Sequence, residues 1–151
     1  MSLRTGRGFL SIPAVQRGKT YAAEFTAVEK VLKGALGIPN FEIIAINAAV
    51  ENLMTVDHAI SNSLQVKFSS GHKLAIKSPK KASSVFDDKK MKRIEKIARD
   101  GHYAEGAFYY AEDPAKPEFR FKIHDDQRLG IFTDLEETET RDVLELVLGN
   151  L

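Results

Sequence analysis

Cysteine and tryptophan are both missing from this chain of 151 residues. Without thiols, disulfide staples, zinc–thiolate sites and cysteine nucleophiles are excluded. A secreted scaffold of this size usually carries disulfides, so the composition favours a reducing, cytoplasmic setting. Long apolar runs are missing too. None approaches the roughly 20 residues that a membrane-spanning helix needs, and no membrane partner is expected. Met1 to Gly8 is basic but short, and no long apolar segment follows it, so it does not read as a signal peptide. What is there is ordinary for a globular protein, with 43% hydrophobic and 28% charged residues. One domain spanning 1–151 is expected, with 1–7 flexible.

A large net charge is also lacking, at +1 overall, but its distribution is uneven. Residues 1–83 carry eleven Lys or Arg against five Asp or Glu, and residues 84–151 carry eleven against sixteen. Such asymmetry suits a nucleic acid, an acidic protein surface or a second copy of the chain. It equally suits a mixed surface on a fold that mingles the two halves.

The pattern predicts an α+β fold: a mixed or mainly antiparallel sheet with three principal helices. Gly8 to Gln16 reads as a short strand or arm, with Pro13 placing it at an edge. Thr20 to Leu36 reads as a helix, capped by Thr20 and ended by Gly37 and Pro39. Phe41 to Ile46 reads as a strand. Asn47 to Met54 fits either a short helix or a strand. Thr55 to Ile60 reads as a strand, and Leu64–Phe68 with Lys73–Lys77 as a hairpin that buries Leu64, Val66 and Phe68. Ser78 to Ser84 is a basic loop, followed by a helix from Val85 to Arg99. Strands are expected over Glu105–Ala111, Glu118–His124 and Arg128–Phe132. Thr133 and Glu136 form a capping box for a last helix ending near Leu148, whose apolar face docks on the core or on another subunit.

No motif here is specific enough to name a function. G-x-S-x-G is absent, and His58, His72, His102 and His124 lack a metal-binding spacing. The densest feature is a basic stretch from Lys67 to Arg99, with eleven Lys or Arg and three acids. Lys77, Lys80 and Lys81 in the loop, with Lys89, Lys92, Arg93 and Lys96 on one helix side, suit contacts to a phosphate backbone. Aromatic residues are sparse there, so base stacking is not indicated. A binding or accessory domain without a cofactor is the first reading, and a homo-oligomeric structural protein is another.

The enzymatic alternative rests on Glu24 on a helix, then Asp57, then Gln65-Val66-Lys67 on a strand. This order resembles the restriction-endonuclease-like nuclease family over roughly residues 20–77. The resemblance implies that Glu24 and Asp57 hold magnesium or manganese and that Lys67 acts beside the scissile phosphate. Gln65 departs from the pattern, being neutral where a carboxylate is usual, and Asp57 lacks the customary preceding proline.

Overall fold

Between Ala59 and Ile131 the alternation of apolar and polar residues becomes a five-stranded sheet in the computed structural model. The structure describes residues 20–37, 44–87, 96, 98–113, 118–132 and 135–151. The strands are β1 (Ala59–Phe68), β2 (Lys73–Lys77), β3 (Gly101–Tyr110), β4 (Phe119–Ile123) and β5 (Leu129–Ile131). Their order is β2-β1-β3-β4-β5, and every pairing is antiparallel. The helices are α1 (Tyr21–Leu36), α2 (Ala49–Leu53) and α3 (Glu137–Gly149). Lys96 and Ala98 are also helical. The fold is therefore α+β, as the pattern predicts. No helix among the described residues is long and apolar enough to cross a membrane.

The chain divides into two compact units, Met1–Glu42 and Ile43–Leu151. In the first, α1 begins at Thr20, whose extended backbone lets its hydroxyl accept from the Ala23 amide at 3.2 Å. It ends at Gly37 with φ +64°, a conformation that costs glycine nothing.

The second unit holds the sheet and its core. Strand β4 alternates cleanly, burying Phe119, Phe121 and Ile123 while Arg120 and Lys122 face outward. Phe121 pairs with Phe108 of β3, and their rings stack with centroids 5.4 Å apart. Leu64 and Val66 are 1% and 0% exposed, and Ile76 joins them from β2. Phe68 is only half-buried, because it sits at the open end of the hairpin where the chain turns. Ala49, Val50 and Leu53 of α2 and Val143 and Val147 of α3 complete this core.

Several expected boundaries move. Ile44 and Ala45 are irregular and Ile46 opens a 3-10 turn, so the part of the expected Phe41–Ile46 strand that is described is not a strand; 41–43 lie outside the described residues. The ambiguous Asn47–Met54 segment is helical. Thr55 to His58 form turns, and the strand expected there begins only at Ala59. Val85–Asp87 is a 3-10 turn rather than the start of an α-helix, and 88–95 lie outside the described residues. The last helix is capped by Glu136 with Glu139 in a reciprocal capping box, not by Thr133 with Glu136. A carboxylate can fill the cap role because it accepts the free amides of the first turn and opposes the helix dipole. The arm at Gly8–Gln16 and residues 1–7 lie outside the described residues.

Candidate functional site

The site begins with one surplus residue in a strand. Ser61 pairs with Phe108 and Ser63 with Ala107, leaving Asn62 unpaired in a bulge of β1. Asn62 is buried, so its amide must find partners. It finds them in the basic loop. Its side-chain nitrogen donates to the carbonyls of Lys80 at 3.2 Å and Ser83 at 3.1 Å. Its own carbonyl accepts from the Ser78 amide at 2.9 Å. The Ser78 and Ser83 hydroxyls lie 2.6 Å apart, closing the base of the loop. Between the two tethered carbonyls, Ala82 takes φ +53°. An alanine there costs about 1 kcal/mol or more and persists because its surroundings fix it. The segment expected to be a mobile loop is thus pinned to the sheet at both of its ends.

The pinned loop forms one wall of a cavity of about 250 Å³ on the outer face of the sheet. Lys77, Lys80 and Lys81 line it from β2 and the loop; Tyr109 and Arg120, cross-strand partners on β3 and β4, line it from the sheet. Among the described residues none of these four cations pairs with a carboxylate. The Arg120 guanidinium lies 5.2 Å over the ring of Phe132, itself 57% exposed. Its Nε is buried and has no hydrogen-bond partner.

The remainder of this face is different, because its charges are matched. Lys122 pairs with Glu105 at 2.5 Å, and Lys73 and Lys67 approach Asp125 at 3.4 and 4.0 Å. Arg128 pairs with Asp126 at 2.6 Å. His124 sits within this network, 3.8 Å from Glu105. Its pKa is held below the ordinary imidazole value of 6.5, first by desolvation and then by Lys122 and Arg128, against the opposing pull of Glu105 and Asp126. Between that lowered value and about 6.5 the unfolded chain binds the proton more readily than the folded one. Stability is therefore expected to fall as pH falls through this window. Denaturation midpoints measured from about pH 7.5 to about pH 5 should slope less in His124→Gln than in the unsubstituted protein.

The residues singled out from sequence fall in several places. Lys77, Lys80 and Lys81 are brought together at the cavity. Lys96 is helical and exposed, while Lys89, Lys92 and Arg93 lie outside the described residues. Asp57 is exposed in the turn before β1, and Lys67 stands near the far end of that strand. At about 3.3 Å per strand residue the two are separated by roughly 25 Å, so they do not share a cleft. Glu24 belongs to α1 in the other unit. No group of three His, Asp or Glu among the described residues is placed to hold a metal ion. Arg120, Tyr109 and Asn62 were not singled out. In sequence Arg120 is the polar half of an alternating strand, and only strand pairing sets it beside the loop. Comparison with protein-family models, with curated proteins and with solved structures finds no match.

Proposed function

We propose that this protein binds nucleic acid through its phosphate backbone, using the basic loop at Lys77, Lys80 and Lys81 together with Arg120 and the helical Lys96. The observation that supports this is the contrast within one sheet face. Its other basic side chains are matched by Glu105, Asp125 and Asp126, whereas the cations around the cavity have no carboxylate partner among the described residues. Unmatched cations gathered at one place repel each other, and a polyanion relieves that repulsion while releasing its own counterions.

Such contacts do not read bases, so affinity should be similar across unrelated sequences. If about three phosphates are neutralised on a duplex, log affinity should fall against log salt with a slope of about −2.7. Fluorescence anisotropy over a salt series tests this. Changing Lys77, Lys80 and Lys81 together to alanine is expected to flatten the slope by about 2.7. All three side chains are exposed, so the variant should keep its thermal midpoint. Absence of binding at low salt, or a slope untouched by the triple change, would count against the reading.

A further inference from the structure

The free polar groups around the cavity are all donors. The Asn62 side chain is occupied by two loop carbonyls, and the Ser78 hydroxyl by Ser83. What remains is the Tyr109 hydroxyl, the Arg120 guanidinium and the ammonium groups of Lys77, Lys80 and Lys81. No carboxylate lines the cavity. A space of about 250 Å³ is several times the ~30 Å³ share of a water molecule, enough for a compact anion with some of its solvent. The buried Arg120 Nε has no acceptor, and such an orphan donor is uncommon in folded proteins. The Arg120 side chain ends beside an exposed aromatic ring rather than in a packed interior, so it can turn its planar edge outward.

From this arrangement we infer that the cavity is a subsite for a phosphate monoester, and that on a nucleic acid it takes a terminal phosphate rather than an internal phosphodiester. This deepens the reading of the preceding subsection and rests on it. A monoester carries a charge of about −1.5 to −2 near neutral pH and three acceptor oxygens. A phosphodiester carries a single charge. Several cations converging on one small cavity match the higher charge density. The Nε and Nη edge of Arg120 supplies two parallel donors to a phosphate, satisfying the orphan Nε. The lysines add point charges, and Tyr109 adds a hydroxyl donor from the cavity floor. Asn62 is a positioning residue: it fixes the loop that carries Lys80 and Lys81 and does not itself reach the ligand.

The test compares one short single-stranded oligonucleotide in three forms: with a 5′-phosphate, with a 3′-phosphate and with hydroxyl groups at both ends. Binding to the full chain is followed by fluorescence anisotropy at low salt, with inorganic phosphate as competitor. At least one phosphorylated form should bind about tenfold more tightly than the hydroxyl-ended form. That preference should shrink below about pH 6, where the monoester takes up its second proton. Arg120→Gln should abolish the preference and leave hydroxyl-ended binding nearly unchanged, whereas Arg141→Ala, remote on α3, should retain it. If Arg120→Gln lowers the thermal midpoint, Lys80→Ala with Lys81→Ala gives the same test through exposed side chains. Equal affinity for all three ends overturns the subsite and leaves the backbone-binding reading standing. The opposite result, no oligonucleotide binding but a phosphate-induced shift of the Arg120 Nε–H resonance, supports the subsite and overturns the nucleic-acid reading.

Discussion

Truncating Phe121 to alanine is expected to destabilise the protein by about 3–5 kcal/mol. The side chain is fully buried at the middle of β4, stacked on Phe108 and paired through the backbone with Ile131 of β5. Its removal deletes a large apolar surface and opens a cavity between two strands that cannot easily close, because both are held by their ladders. Small proteins are stable by only ~5–15 kcal/mol, so this single change removes a large share of the margin. Urea denaturation should show a much lower midpoint, and Phe121→Leu should recover most of the loss. A functional consequence follows. Arg120 is the next residue, on the opposite face of the same strand, so loosening β4 moves one side of the cavity. Phosphate-end preference is expected to weaken in Phe121→Ala even at temperatures where the variant remains folded. A midpoint close to that of the unsubstituted protein would show that the stacked pair does not anchor the sheet.

Gly106→Val is expected to be the most damaging single enlargement, at or above the ~1–3 kcal/mol typical of overpacking. Even a β-carbon at this position would stand 2.6 Å from Phe108 Cε2 and 2.9 Å from Val50 Cγ1. Neither neighbour can yield. Phe108 is fully buried and stacked on Phe121, and Val50 is fully buried in α2. A glycine in mid-strand weakens the strand's own propensity, and here the gain is the close approach of helix to sheet. Valine would push α2 off β3 and expose Ala49, Val50 and Leu53. The readout is the denaturation midpoint together with binding of a dye that reports exposed apolar surface. A stable variant with no dye binding would mean that α2 is not seated on Gly106.

The contrast between the legible and illegible parts of this chain follows from the range of the interactions. Thr20 and Gly37 bracket α1 because caps are local chemistry. The β1–β2 hairpin and strand β4 were readable because alternation is local as well. Ile43, Ile44 and Ile46 suggested a strand by their branched side chains, yet Ile46 opens a 3-10 turn leading into α2. Branched residues favour any half-buried site, so tertiary packing decided the outcome there. Helix α2, from Ala49 to Leu53, is too short to display a helical period. Of the cavity, only Lys77, Lys80 and Lys81 were visible, as a run of charge. Tyr109 and Arg120 lie far along the chain and reach the loop through the order of the strands. Asn62 carried no sequence signal, since an asparagine within an alternating run reads as one more solvent-facing residue.

The bulge at Asn62 has a consequence for how this surface could arise or disappear. Ser61 and Leu64 both face the core although an odd number of steps separates them, and the surplus residue is what resets the parity. Deleting position 62 alone would therefore keep Ala59, Ser61, Leu64 and Val66 on the same face and leave β1 a regular strand against β3. It would at the same time cut the tether to Lys80 and Ser83. The basic cup and the plain sheet thus differ by a single codon, and the hydrophobic face is indifferent to which of the two the gene encodes.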